Sequence, residues 1–309
     1  MKKPTVIVIC GPTASGKTAL SIELAKRIDG EIVSADSMQI YKDMDIGSAK
    51  VTLDEMQGIK HYLIDNVYPN ERYSVANYKQ DAKQAIEEII EKGKTPIVVG
   101  GTGLYIDSLI YEIEYKDIVI NEEYRKKLEK IREEQGLEVL YQKALEIDPK
   151  AMEKISSNDF KRITRVLEIY EATGKTKTEQ EAESRLNEIP YDYRVFAINY
   201  DREKLYERIN KRVDIMLEKG LIEEVKKLLE KYSEFPTAMQ GLGYKEVKQY
   251  LDGNISKEEM IEMIKQESRR YAKRQFTWFR KNKETIWIDG QANINDNIDI
   301  ILEESNIGK

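Results

Sequence analysis

The sequence predicts an α/β fold: a parallel sheet core flanked by helices, interrupted by a mainly helical insertion. Three observations carry that expectation. Apolar runs rich in Val and Ile, at Thr5–Cys10, Glu31–Ala35 and Thr95–Val99, read as strands buried on both faces. Segments with helical apolar spacing alternate with them, as the crossovers of a parallel sheet require. From about 112 to 190 the alternation stops and charged helical segments take over. The expected division is an α/β core from 1–111 and 191–309, with 112–190 as the insertion.

Composition narrows the class. The 309 residues are 34% charged and 40% hydrophobic, with a formal net charge of −6. No apolar run approaches the roughly 20 residues of a membrane span. Met1-Lys2-Lys3-Pro4 leads straight into the first strand, without the apolar stretch of a signal peptide. One cysteine, Cys10, leaves no internal disulfide, and a cytoplasmic location is expected. One histidine, His61, excludes metal sites built on several histidines. A monomer is expected, since no long heptad or self-complementary apolar stripe appears.

The first strand runs into Gly11-Pro12-Thr13-Ala14-Ser15-Gly16-Lys17-Thr18, a complete G-x-x-x-x-G-K-[ST] phosphate loop, and a helix follows. This order makes the core P-loop NTPase-like. The glycines let backbone N–H groups close around an anion, Lys17 adds a point charge, and Thr18 offers a hydroxyl to Mg²⁺. The second strand ends on Asp36-Ser37-Met38-Gln39-Ile40-Tyr41. Strand C-termini line the ligand crevice of an open parallel sheet, so Asp36 is expected to face the loop as a general base or metal partner rather than a plain turn residue. His61, at the start of a short strand, reads as a packed structural group. Ser74 caps a helix to about Lys92.

The strand Thr95–Val99 ends in Gly100-Gly101-Thr102-Gly103-Leu104-Tyr105. An ATPase or GTPase usually carries an acidic residue there. Glycines and Thr102 instead suggest a site that holds a phosphorylated substrate, with backbone approaching the ligand closely. In the insertion, helices are expected over Glu122–Gln135, Leu137–Ile147 and Asn158–Thr173. Lys161, Arg162 and Arg165 share a face of the last one. The α/β pattern returns with a strand at Arg194–Tyr200 and a helix Arg202–Leu217 capped by Asp201, carrying Arg208 and Arg212 one turn apart. A helix over Leu221–Tyr232 and a long helix over Lys257–Lys283 follow, then a strand Thr285–Ile288 and a helix Ile294–Glu304. Of the fifteen residues 269–283, seven are Lys or Arg, Lys273 and Arg274 among them, with aromatic residues interleaved. In an acidic chain such a stripe suits a polyanion, while Tyr271, Phe276 and Trp278 suit a core.

Taken together, the motifs resemble those of the tRNA dimethylallyltransferases, also called isopentenyl-tRNA transferases. The resemblance runs through the loop at 11–18, Asp-Ser-Met-Gln-Ile-Tyr at 36–41, Gly-Gly-Thr-Gly-Leu-Tyr at 100–105, Asn-Asp-x-x-Arg-x-x-Arg-x-x-Glu at 158–168, Gly-Tyr-Lys-Glu at 243–246 and Ala-Lys-Arg-Gln-x-Thr-Trp at 272–278. His61-Tyr62 and Gln240-Gly241 depart from it slightly. The resemblance implies transfer of a dimethylallyl group from dimethylallyl diphosphate to N6 of the adenosine 3′ of the anticodon, in tRNAs reading codons that begin with U. It implies that residues 11–18 hold the diphosphate with Lys17, Mg²⁺ on Thr18, and a second cation, Arg212 or Arg208 in its stead. It casts Asp36 as the general base, with Ser37, Met38, Gln39 and Thr102 around the adenine. Arg125, Lys161, Arg162, Arg165, Lys273 and Arg274 become tRNA contacts. Eukaryotic relatives carry a zinc finger, which one Cys and one His exclude here. Competing readings are a phosphate-loop kinase using ATP, an adenylate isopentenyltransferase, and a nucleotide-dependent RNA-binding switch. The first two leave the basic face and stripe without work, and the third lacks the acidic strand end.

Overall fold

The computed structural model describes residues 3–114, 121–184 and 187–307. Met1 and Lys2, part of the segment weighed above as a leader, lie outside the described residues. In chain order the elements are β1 (Thr5–Cys10), α1 (Lys17–Ile28), β2 (Gly30–Ser34), α2 (Leu53–Met56), β3 (His61–Tyr62), α3 (Val75–Glu91), β4 (Thr95–Gly100) and α4 (Gly103–Ile110). Five helices follow: α5 (Glu122–Gln135), α6 (Leu137–Ile147), α7 (Pro149–Met152), α8 (Phe160–Thr173) and α9 (Lys177–Ser184). The rest is β5 (Asp192–Asn199), α10 (Arg202–Glu218), α11 (Leu221–Lys231), α12 (Tyr244–Leu251), α13 (Lys257–Phe279), β6 (Ile286–Asp289) and α14 (Ile294–Ser305).

The chain forms two compact units, Met1–Ile110 with Pro190–Lys309, and Tyr111–Ile189. In the first, six parallel strands stand in the order β3-β2-β4-β1-β5-β6. Alternate residues of each strand feed two cores. Val6, Val8, Val33 and Val98 pack toward α3, α4 and α13. Ile7, Ile9, Ile32 and Ile97 pack with apolar residues of α1 and α14. This is why the central strands read as unbroken Val/Ile runs. Ser74 caps α3 through the Asn77 N–H, and Asp201 caps α10 through the N–H groups of Glu203 and Lys204.

The second unit is helical, with Leu128, Leu140, Ala144, Ile163, Val166 and Leu167 in its core. Buried Asp148 organises one corner. Its carboxylate caps α7 through the Ala151 N–H (3.0 Å) and accepts from the Thr178 N–H (2.9 Å) and hydroxyl (2.6 Å).

Two expectations need correction. Helix α13 stops at Phe279 rather than Lys283, because Asn282 turns the chain: its Oδ1 accepts the Glu284 N–H at 2.9 Å and its carbonyl the Thr285 N–H at 3.3 Å. Helices α4 and α12 were not expected. Helix α4 begins at Gly103 and α12 just after Gly243, in glycine-rich segments that read as loop.

Candidate active site

Cys10 pairs with Gly100, and Ser34 with Val99, so the segments leaving β1, β2 and β4 emerge at one edge of the sheet. They are the phosphate loop, the Asp36–Tyr41 segment and the Gly101–Tyr105 turn. In an open parallel sheet this edge is the ligand crevice.

The loop is preformed. Left-handed backbone at Ala14 (φ 63°) and Gly16 (φ 93°) turns successive amides toward one point, as in an anion nest. The Ser15 hydroxyl donates to the Pro12 carbonyl at 2.8 Å. Helix α1 starts at Lys17 and aims its positive end at the same place. The Lys17 ammonium donates to the carbonyls of Gly11 (3.0 Å) and Pro12 (2.6 Å). Burial pushes its pKa down to about 8; the Asp36 carboxylate opposes that shift and the Arg212 charge adds to it.

Arg212 is the second cation at this point. Burial lowers its pKa against the opposing charge of Asp36, and its Nε is buried with no hydrogen-bond partner among the described residues. A buried donor without a partner costs about 1–3 kcal/mol, and an anion at the loop would remove that penalty. Arg208 lies on the exposed side, where its Nε donates to the Ala14 carbonyl at 2.8 Å and its guanidinium stacks over Tyr200.

Asp36 sits in an Asx turn. Its Oδ1 accepts the N–H groups of Met38 (2.9 Å) and Gln39 (3.4 Å), and Oδ2 takes no hydrogen bond among the described residues. The turn reading and the site reading therefore describe the same carboxylate, one oxygen each. The Thr102 hydroxyl accepts from the Ser37 N–H (3.0 Å) and donates to the Ser37 hydroxyl (3.2 Å). Asp36, Gln39, Lys17, Thr18 and His61 line one cavity of about 50 Å³, floored by Ile32, Ile64 and Val99. His61 donates from Nδ1 to the Ile59 carbonyl at 2.9 Å, and burial lowers its pKa, so its ring is neutral at pH 7. Expected as a packed structural group, His61 stands on this wall with no local signal in the sequence for that place.

The pair Gly100-Gly101 was expected to let backbone approach a ligand. It serves the protein instead. A Cβ on Gly100 would lie 2.1 Å from the Ala35 carbonyl oxygen, and one on Gly101 2.2 Å from Gln275 Nε2.

Helix α13 packs against this edge. The Gln275 Oε1 accepts the Thr13 N–H at 2.9 Å and its Nε2 donates to the Gly101 carbonyl at 2.8 Å. The Tyr271 phenol is pushed up to about 12, by burial first and by the Asp36 charge second, beside the Thr102 and Gln275 side chains. Trp278 donates from Nε1 to Asp107 at 2.9 Å. Lys273 and Arg274 face solvent, while Arg269 is taken up by Asn210 (2.6 Å) and Glu262 (3.1 Å).

The remaining cations belong to the helical unit. Arg125 Nε donates to Glu168 at 2.9 Å, and Arg165 stands 3.6 Å from the other oxygen of the same buried carboxylate. Arg162 pairs with Asp159 at 3.3 Å, and Lys161 is exposed. Among the described residues no cluster of three or more His, Cys, Asp or Glu stands ready for a metal. The oxygen donors of Thr18 and Asp36 on the cavity wall nevertheless fit a hard cation such as Mg²⁺, which keeps several waters and shares substrate oxygens.

Residues 39–282 match the model of the IPP transferase family. The chain belongs to that family. It is 57% identical over 285 residues to the tRNA dimethylallyltransferase of Acetivibrio thermocellus, covering 92% of this chain and 91% of that one. The crystal structure of the full-length tRNA isopentenylpyrophosphate transferase from Bacillus halodurans matches with a TM-score of 0.74 at 42% identity, over 99% of this chain and 97% of that one. A structure of a eukaryotic dimethylallyltransferase acting on tRNA matches with a TM-score of 0.77 at 35% identity, over 93% and 74% of the two chains. As a member of the IPP transferase family, the chain has the expected fold, a parallel P-loop sheet flanked by helices. Tyr271, expected in a core, and Gln275, for which the sequence suggests no role, both border this candidate site. Gln275 falls within the run 272–278, whose pattern reads only as a basic face and a core.

Proposed function

We propose that this chain transfers the dimethylallyl group of dimethylallyl diphosphate to N6 of the adenosine 3′-adjacent to the anticodon, in tRNAs reading codons that begin with U. The observation that carries the chemistry is one carboxylate oxygen of Asp36, free among the described residues, beside two half-buried cations, Lys17 and Arg212, at a preformed phosphate loop. Residues 11–18 bind the diphosphate through backbone amides, and Lys17 and Arg212 take up the charge that grows as the allylic C–O bond breaks. The bond electrons leave with diphosphate. The N6 lone pair forms the new C–N bond, and Asp36 accepts the N6 proton. A positioned base of this kind contributes about 10²–10⁴-fold, which an exocyclic amine delocalised into its ring requires.

Ser37, Met38, Gln39 and Thr102 orient the adenine, which leaves the anticodon-loop stack to reach the allylic carbon. Thr18 would hold a Mg²⁺ ion, which would supply further charge neutralisation to the diphosphate. Lys273 and Arg274, with Lys161, Arg162, Arg165 and Arg125 of the helical unit, contact the tRNA backbone and loop. Arg125 and Arg165 are the weaker members, because Glu168 already occupies them. The reading includes a monomer working in the cytoplasm; among the described residues no helix is long and apolar enough to cross a membrane.

The test offers labelled dimethylallyl diphosphate and Mg²⁺ to the protein with either an unmodified tRNA bearing adenosine 3′ of its anticodon or free AMP. Label in tRNA alone is the expected result. Label in AMP alone would make the chain an adenylate isopentenyltransferase. No transfer, with phosphoryl transfer from ATP to a small molecule, would make it a kinase.

A further inference from the structure

Gln275 is 5% exposed and lies on the face of α13 opposite Lys273 and Arg274. Its carboxamide accepts from the second amide of the phosphate loop and donates to the carbonyl of the residue before Thr102. Those two segments leave adjacent strands whose ladder ends at Cys10 and Gly100. Beyond that point they carry opposite halves of the chemistry: the loop holds the leaving group, and the Gly101-Thr102 turn, bonded to Ser37, holds the acceptor side. A neutral side chain that spans them must offer a donor and an acceptor at once, which a carboxamide does.

Gly101 is shaped to this bridge. Its missing Cβ is the space Nε2 occupies, at 2.2 Å, and the next backbone neighbour, the Gly11 carbonyl, is 3.4 Å away. The helix is anchored on one side of Gln275 by the Trp278–Asp107 bond and borders Thr102 on the other through Tyr271.

We infer that Gln275 is a positioning residue: its carboxamide sets the span between the phosphate loop and the Gly101-Thr102 turn, and thereby holds the diphosphate at the distance from Asp36 and Thr102 that transfer needs. The inference rests on the reading of residues 11–18 as the diphosphate site. Replacing Gln275 leaves the Thr13 amide and the Gly101 carbonyl unpaired in a buried place, a loss that translates to about 10- to 100-fold in whatever the bridge controls.

The experiment measures inorganic diphosphate affinity by calorimetry, single-turnover transfer to tRNA with both substrates saturating, tRNA affinity and Tm, in wild type, Gln275→Leu, Gln275→Ala, Gly101→Ala and the double variant Gln275→Ala/Gly101→Ala. Gln275→Leu is expected to weaken diphosphate binding and slow transfer by about 10- to 100-fold each, with tRNA affinity within about twofold. Gly101→Ala, which drives the carboxamide out, should do the same, yet add almost nothing in the Gln275→Ala background, where the methyl fits. A purely structural role would lower Tm and leave diphosphate affinity unchanged well below Tm.

The inference is overturned if folded Gln275→Leu keeps diphosphate affinity and transfer rate within about twofold of wild type, or if the Gly101→Ala and Gln275→Ala losses add. Should Gln275→Leu not fold, Gln275→Glu replaces it, keeping the size and the acceptor for Thr13 and losing the donor to Gly101, with the same expected losses. If the wild type binds diphosphate but modifies no tRNA, the functional reading fails while the diphosphate affinities still decide the role of Gln275.

Discussion

Replacing Asp36 by Asn separates the shape of the site from its proton chemistry. Asn keeps an oxygen for the Met38 and Gln39 amides, which Asp36 holds at 2.9 and 3.4 Å, so the turn survives. The expected change in folding stability is within about 1 kcal/mol. What disappears is the free, charged Oδ2. If that oxygen takes the N6 proton, transfer slows by about 10²–10⁴-fold, or about 3–5 kcal/mol of barrier. Diphosphate binding responds differently. The Asp36 charge opposes the burial that depresses Lys17 and Arg212, and its loss lets both pKa values fall further. A bound diphosphate draws a proton onto Lys17, and one negative charge near that anion is gone. Diphosphate affinity is therefore expected to hold or rise. Single-turnover transfer to tRNA by rapid quench, paired with calorimetric titration of diphosphate, reads both quantities. A transfer rate within tenfold of wild type refutes the general-base role. A loss of diphosphate affinity as large as the loss of rate would make Asp36 a binding residue instead.

Three further predictions test the electrostatics. Lys17, with a pKa near 8 against an ordinary 10.5, is disfavoured as an ammonium in the folded chain, so its contribution to stability rises with pH between those values. An anion at the loop reverses this, so diphosphate binding at pH 9 should take up more protons in wild type than in Lys17→Met, measured calorimetrically in buffers of different ionisation enthalpy, with no difference at pH 6.5. Arg212→Met removes a half-buried charge whose buried Nε has no partner among the described residues. Tm should rise while diphosphate affinity falls about 10- to 100-fold, and a fall in both would contradict the assignment. The Asp107 carboxyl is pushed up to about 6 by burial, against the Trp278 bond. A raised acid pKa supports folding below the unfolded value and loses that support as pH rises through the folded one. Asp107→Asn, which keeps the oxygen for Trp278, should therefore gain about 1–2 kcal/mol at pH 7 relative to pH 4 in urea unfolding, and an equal change at both pH values would contradict this.

What was legible in the sequence is what local chemistry encodes. The buried strands announce themselves as Val/Ile runs, the loop as spacing between a strand and a helix, and the caps Ser74 and Asp201 as residue types at helix starts. Asp36 was legible because strand ends in a parallel sheet converge. The rest depends on partners far apart in the chain. The Gln275 bridge joins residues 262 and 174 positions away, and no spacing rule reports such a bond. The glycines that end and follow β4, Gly100 and Gly101, are open to two readings until Ala35 and Gln275 are seen against them. The Arg125–Glu168 pair, 43 residues apart, takes up a cation that sequence alone leaves free for a polyanion. In the same way the stripe on α13 divides: Arg269 is consumed by Asn210 and Glu262, and Lys273 and Arg274 remain in solvent.

Where the five-carbon group ends up is the most direct test of transfer to the adenosine 3′ of the anticodon. Unmodified tRNA with adenosine 3′ of its anticodon is incubated with the protein and dimethylallyl diphosphate, then cleaved to oligonucleotides and to nucleosides for mass spectrometry. The expected product carries one dimethylallyl group on N6 of that adenosine, released diphosphate equals the label incorporated, and substituting guanosine at that position abolishes transfer. A prenyl group elsewhere in the tRNA, or diphosphate released without any modified nucleoside, would contradict it.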